Sequence, residues 1–296
     1  MGYGGALIWT GLARNVKQRW PEKKVVLVHG KNLKQLLLRK PYKNKVMYRN
    51  NPDIDLVTDE LSWLWQRWQY DLSQTVVIDM RRPDYLYWQR YTPERIEYKT
   101  GQHAIALASA VHAIDEVELR PRVVLTREEV KRADTVLQQH ALKPGGYLCI
   151  EPHTKTSFTP NKAWPFTRWQ ELTNRLLARG ETVVQIGAPG NKALDGVINL
   201  TGKNSFRETG RVLEQAKLFI GPVGGLLHLS RAMSTKNVAL VSPWEPRELA
   251  TYPDDINIFA GSAEHHCGKL THCAECQVSM AALSVDDVFA KVQTVV

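Results

Sequence analysis

Two stretches of this chain carry residue types that can do chemistry. The first, Gly221-Pro-Val-Gly-Gly-Leu-Leu-His-Leu-Ser-Arg-Ala-Met233, follows an apolar run, Ala216 to Ile220, and continues with Leu226, Leu229, Ala232 and Met233 at helical spacing. Paired glycines between a strand and a helix let the backbone approach a ligand, and the free N–H groups and positive dipole end of the helix favour an anion. Such glycines also serve tight packing, so a phosphate seat needs support from elsewhere in the chain. The second stretch is His265-His-Cys-Gly-Lys-Leu-Thr-His-Cys-Ala-Glu-Cys276, in which Cys267, Cys273 and Cys276 are separated by five and then two residues, with His265, His266 and His272 interspersed. Thiolates and imidazoles at that density can furnish a tetrahedral metal shell. A closed shell leaves no open position, which points to structure rather than catalysis.

Both stretches need elements to position them. Residues 5–20 place Ala6, Leu7, Trp9, Leu12, Ala13 and Val16 on one helical face, and Pro21 stops the helix. Strands are expected over 25–28, 45–48 and 75–79, and helices over 33–38, 60–68, 102–114 and 126–140, the last opened by the capping box Thr126-x-x-Glu129. Leu142-Lys-Pro-Gly-Gly146 is the best boundary, giving domains 1–143 and 144–296. Beyond it, strands over 147–150, 182–186, 216–220 and 237–241 alternate with helices over 165–179 and 205–215. This alternation predicts two parallel-sheet α/β domains facing one another. Parallel sheets bind ligands at the carboxyl ends of their strands, where Gly4-Gly5, Asp79, Glu151 to Lys162, Gly187 to Lys192 and Gly221 to His228 are expected.

The bulk numbers narrow the classes. With 296 residues, 43% hydrophobic and 23% charged, the chain can bury two ordinary cores, and no apolar run approaches the roughly 20 residues that cross a bilayer. The first residues show no secretory signal, so a cytoplasmic location is expected. A net charge of +9 favours polyanionic partners. The basic residues are scattered and no nucleic-acid motif occurs, which ranks a nucleic-acid-binding protein last. Cys149, in an apolar strand, reads as core.

Taken in order, these motifs resemble the glycosyltransferase family of the bacterial ADP-heptose:lipopolysaccharide heptosyltransferases. Gly4-Gly5 to Arg14 is similar to the family's opening glycine-rich turn and helix, Asn161-Lys-Ala-Trp164 to its Asn-Lys-x-Trp segment, and Ile186-Gly187 to its strand-ending glycine. Gly224-Gly225 to Met233 resembles its Gly-x-x-His-x-x-x-Ala motif, and Cys276 to Val288 its C-terminal stretch, with Ser279 replacing a cysteine. The resemblance implies a GT-B fold of two Rossmann-like domains, and a sugar, in the first instance heptose, passed with inversion from a nucleotide-diphosphate donor to a bacterial surface glycan or protein. The family's carboxylates at the places of Gly5, its assigned catalytic base, and Val223 are absent here.

Such transfer needs a cradle for the departing diphosphate and a base for the acceptor hydroxyl. Lys162, Gly187, Gly224, Gly225 and His228 are the expected donor contacts, in the second domain; the His228 imidazole can meet either a phosphate or its own motif. Gly4, Gly5, Arg81 and Arg82 are the expected acceptor contacts. Asp79 is the leading base, with Glu151 and Asp84 in reserve; the competing reading pairs Asp79 with Arg81 or Arg82. No cofactor is expected for transfer. The resemblance extends to protein-directed heptosyltransferases that hold iron with four cysteines; only three occur in the cluster here, which implies either a structural iron or zinc ion on Cys267, Cys273, Cys276 and His272 or a vestigial cluster that holds no metal. Peripheral contact with an anionic membrane is a further expectation. The alternative is an inactive relative that binds nucleotide or glycan without transfer.

Overall fold

The computed structural model describes residues 2–30, 42–262 and 266–296; the helix expected over 33–38, and His265, lie outside that set. The chain divides into two compact units, Met1–Tyr87 with Gln102–Val124, and Trp88–Gly101 with Leu125–Val296. Among the described residues, no helix is long and apolar enough to cross a membrane.

In the first unit the helix Tyr3–Arg19 buries Ala6, Leu7, Leu12, Ala13 and Val16 and ends at Trp20, before the proline that cannot continue it. Strands β1 (Lys24–His29), β2 (Leu56–Asp59) and β3 (Thr75–Asp79) form a parallel sheet in the order β2-β1-β3. The register sets His29 opposite Asp59 and Val28 opposite Asp79, so three polar residues gather at the carboxyl edge. Residues 45–48 are not the expected strand. They lie in a 3₁₀ helix, Lys43–Tyr48, that buries Met47 and Tyr48, while the edge of the sheet is taken by β2, too short to stand out by its pattern. The helix Glu60–Gln66 is capped by Asp59, whose side chain accepts the Ser62 N–H at 3.1 Å, and it buries no residue. Its Leu64 and Trp65 are exposed, so helical periodicity here marks no core face.

The second unit holds strands β6 (Leu148–Ile150), β7 (Val183–Gln185), β8 (Ile198–Asn199), β9 (Leu218–Pro222), β10 (Asn237–Val241) and β11 (Ile256–Phe259). They form one parallel sheet in the order β11-β10-β9-β6-β7-β8. The chain starts in the middle, runs outward through β7 and β8, then crosses back to β9. The switch point therefore lies between β6 and β9, where open α/β sheets leave a crevice at their carboxyl ends. Leu148, Ile150, Leu218 and Ile220 from these two strands pack with Trp164 and Trp169 in the core. The Trp164 Nε1–H donates to the Leu283 carbonyl at 2.9 Å, a packing residue with its one donor satisfied.

Two segments sit elsewhere than a boundary at 143/144 would put them. The helix Arg127–Gln139, opened by the expected capping box, belongs to the second unit, tied to the helix Phe206–Glu214 by a buried ion pair between Glu129 and Arg207. Turn residues can be read locally; a partner 78 positions away cannot. The antiparallel hairpin of β4 (Trp88–Tyr91) and β5 (Ile96–Tyr98) also joins this unit, with Ile96 N–H donating to the Gly268 carbonyl at 2.9 Å and Leu270 N–H to the Glu94 carbonyl at 2.8 Å. Gly268 has φ +59°, and a Cβ there would lie 2.0 Å from the Ile96 carbonyl oxygen. Only glycine lets the two backbones meet.

Candidate functional site

The site of the second unit is built on the switch crevice. β9 ends at Pro222, and the helix Gly225–Ala232 starts shortly after it with Gly224 as a cap that offers no side chain to the first turn. Its first N–H groups are therefore left for solvent or a ligand. Gly224 is extended, which any residue tolerates, and a Cβ built there would meet no atom closer than the Pro222 carbonyl oxygen at 3.9 Å. Neither strain nor packing explains this glycine. Open space over a helix N-terminus is what an approaching anion needs. Gly187, by contrast, is required by the fold: at φ +147°, a Cβ would come within 2.9 Å of the Asn191 side-chain amide.

Lys162 belongs to the same unit and is mostly covered. Its ammonium pairs with the Glu245 carboxylate and lies 4.5 Å from the centre of the Trp244 ring. Glu245 is itself buried, so the pair is a held charge rather than a solvated surface contact. His228 is 7% exposed, and its Nδ1 lies 2.7 Å from the Tyr252 hydroxyl. A residue 24 positions on thus orients the ring.

Glu151 directly follows β6, and its N–H donates to the Ile220 carbonyl of β9 at 3.0 Å, which places it at the switch point. Desolvation by burial pushes its carboxyl up from 4.5 to about 8. The folded state then holds this proton more tightly than the unfolded chain, so the associated stability is fully present below about pH 4.5 and lost as pH rises through about 8. Glu151→Gln is expected to abolish that slope. Chemical denaturation of both proteins across the interval checks it, and parallel pH profiles would refute it.

In the first unit, Asp79 ends β3 and receives Arg81 Nε at 2.7 Å and its terminal nitrogen at 2.5 Å; Arg81 also pairs with Glu60. Partial burial raises the Asp79 carboxyl, but the Arg81 hydrogen bonds and the charges of Arg81 and Arg82 outweigh it and hold it below the ordinary carboxylate value. A carboxylate so held is a weak base. Arg82 pairs with Asp84 at the surface, so both arginines are already matched by acids. Gly4 and Gly5 occupy the first turn of the helix Tyr3–Arg19, not the expected loop. Sequence reasoning passes over a 280 Å³ cavity at the ends of β1 and β2, lined by His29, Tyr42, Lys45 and Asp59 among others, with the His29 and Tyr42 rings stacked at 4.0 Å. Its lining comes from three separate segments, and no local pattern joins them.

Cys267, Cys273 and Cys276 converge: all three are buried and their sulfurs lie within 4.8 Å of one another. Tetrahedral thiolate ligation at a metal–sulfur distance of about 2.3 Å requires sulfurs about 3.8 Å apart, so the trio fits a thiophilic ion. The Cys267 and Cys276 sulfurs approach to 3.1 Å, and this hydrogen bond lowers Cys267 while raising Cys276. His272 is exposed and stands outside the group.

A family model described as glycosyltransferase family 9 (heptosyltransferase) matches residues 79–277. Among solved structures, the glycosyl transferase family 9 protein of Veillonella parvula superposes with a TM-score of 0.70 at 16% identity, over 100% of this chain and 94% of its own. The Escherichia coli ADP-heptose lps heptosyltransferase II gives 0.62 at 14% identity, over 99% and 95%. The iron-containing dodecameric glycosyltransferase TibC of enterotoxigenic E. coli gives 0.53 at 17% identity, over 92% and 77%. At these identities the likeness is one of fold, the two parallel α/β sheets of the GT-B type. No curated protein sequence matches.

Proposed function

This chain belongs to glycosyltransferase family 9, and from that premise we propose that it transfers a sugar, heptose in the first instance, from a nucleotide-diphosphate donor to a bacterial surface glycan or protein acceptor, with inversion. The single observation that carries the donor side is the open, uncapped helix start at Gly224 and Gly225 at the β6/β9 switch point. In the proposed reaction the acceptor oxygen attacks the anomeric carbon, the bond from that carbon to the diphosphate oxygen breaks, and the hydroxyl proton passes to a base. Lys162 receives the departing diphosphate, exchanging its contact with Glu245 for one with phosphate oxygen, while the N–H groups at Gly225 add neutral donors. Gly187 keeps the neighbouring strand end narrow, and Tyr252 fixes His228 beneath the seat.

Gly4, Gly5, Arg81 and Arg82 remain the proposed acceptor contacts, with Asp79 as the proposed base once substrate draws Arg81 away. The alternative, a relative that binds the donor without transfer, is favoured by that same Asp79–Arg81 pairing. The three thiols are proposed to hold a structural iron or zinc ion through Cys267, Cys273 and Cys276, with no role in bond breaking.

Thermal-shift titration with ADP-heptose, UDP-sugars and GDP-sugars tests the donor. A true donor raises the melting temperature by mass action, and ADP-heptose is the one expected to do so, by analogy with the E. coli enzyme of that name. Failure of every nucleotide sugar would remove the proposal. Stabilisation without sugar transfer to any lipid or protein acceptor would favour the binding-only alternative.

A further inference from the structure

The three thiols and Lys162 are joined through a single buried side chain. Asn161, the residue before Lys162, is completely inaccessible to solvent. Its Oδ1 accepts the Cys273 N–H at 2.9 Å, and its Nδ2 donates to the carbonyls of Lys269 at 2.9 Å and Thr271 at 2.7 Å. All the capacity of that amide except one acceptor position is spent on the loop that carries the cysteines. Trp244, whose ring lies under the Lys162 ammonium, is anchored to the same loop. Its Nε1–H donates to the Lys269 carbonyl at 2.5 Å, its carbonyl accepts the Gly268 N–H at 2.9 Å, and the neighbouring Pro243 carbonyl accepts the Cys267 N–H at 3.1 Å. Ser242 closes the circuit, donating its hydroxyl to the Asn161 carbonyl at 2.6 Å.

Lys162 is thus held from both sides, through its chain neighbour Asn161 and through Trp244 and Glu245, by a loop with little regular structure of its own. What closes that loop is the meeting of Cys267, Cys273 and Cys276. On its outer side lies the β4–β5 hairpin, seated on Gly268 and Leu270. Bridging the sulfurs would fix the loop, and separating them would release the carbonyls that Asn161 and Trp244 use.

We propose that the cysteine loop is a clamp that positions Lys162 through Asn161 and Trp244, so that the state of the three thiols sets the affinity of the diphosphate seat. The last clause rests on the donor reading given above. Asn161 and Trp244 are positioning residues in this scheme and touch no reacting atom. Both residues hydrogen-bond the loop that carries the thiols, and they reach Lys162 through the adjoining peptide bond and through the face of the Trp244 ring.

Two measurements decide it. Hydrogen exchange of the backbone over 159–164 and 242–245 is expected to slow when Zn²⁺ is added to the chelator-treated full chain, and to rise in Cys276→Ser. Unchanged exchange in those segments overturns the clamp. Second, Asn161→Ala is expected to weaken ADP binding about tenfold, as lost hydrogen bonds to a buried loop let the lysine wander. The double variant Asn161→Ala/Lys162→Ala should bind ADP no more weakly than Lys162→Ala alone, whereas additive losses refute positioning. If Lys162→Ala leaves ADP affinity unchanged, the donor reading fails, and the exchange measurement alone then judges the clamp. Should Asn161→Ala not fold, the exchange response to Zn²⁺ and to Cys276→Ser still upholds or overturns the clamp.

Discussion

Lys162→Ala is expected to lower ADP affinity by about 30- to 100-fold, measured by calorimetry on the full chain, with transfer falling at least as far. In the proposed donor seat this removes a charge-assisted contact to the diphosphate and leaves the Glu245 carboxylate, buried and paired with Lys162 in the structure, without its partner. Repulsion adds to lost attraction. Glu245→Gln separates the two contributions. It removes the competing carboxylate while leaving the ammonium over Trp244, so nucleotide affinity should hold or improve. If Lys162→Ala binds ADP as well as the unaltered protein, Lys162 is a structural partner of Glu245 and nothing more.

Arg207→Ala is expected to cost about 3–5 kcal/mol of unfolding free energy. Arg207 and Glu129 are 1% and 3% exposed, and they meet in two parallel hydrogen bonds of 2.8 and 2.9 Å. The same carboxylate accepts the Thr126 N–H at 2.8 Å to complete the capping box of its helix. Removing the guanidinium leaves a buried anion without its charged partner, and the helix Arg127–Gln139 loses its buried tie to Phe206–Glu214, keeping the more exposed pairs Arg132–Glu208 and Arg211–Asp134. Guanidinium-chloride unfolding of the variant reads the loss directly. A change below about 1 kcal/mol would mean that solvent reaches the pair. The paired substitution Glu129→Leu/Arg207→Met should recover much of the stability, since burying neither charge avoids both desolvation costs.

The local grammar of the chain is legible. Alternating apolar strands and amphipathic helices in the second half, the Thr126 capping box, the helix stop at Pro21 and the glycines after β9 all follow from backbone propensity over a few residues, and the structure forms each of them. Sequence reading fails where a short segment has no periodicity to offer. It passes over β2 and the β4–β5 hairpin, and 45–48 become a 3₁₀ turn because the sheet edge already has a strand. Asp79 is open to two readings, base or ion-pair partner. Its bidentate contact with Arg81 gives weight to the second.

Read along the chain alone, the residues give the elements, the α/β class and the groups with chemistry to offer: paired glycines before a helix, a lysine in the Asn161-Lys-Ala-Trp164 segment, three cysteines in ten positions. Folding settles who meets whom. Lys162 finds Glu245 across 83 positions, Asn161 binds the backbone of Cys273 across 112, and Tyr252 takes the His228 ring. The difference is one of range. Propensity, capping and periodicity act through neighbouring backbone atoms and leave their mark in neighbouring letters. Ion pairs and buried hydrogen bonds depend on distances of a few ångströms that exist only after strands about 70 residues apart, such as β6 and β9, lie side by side.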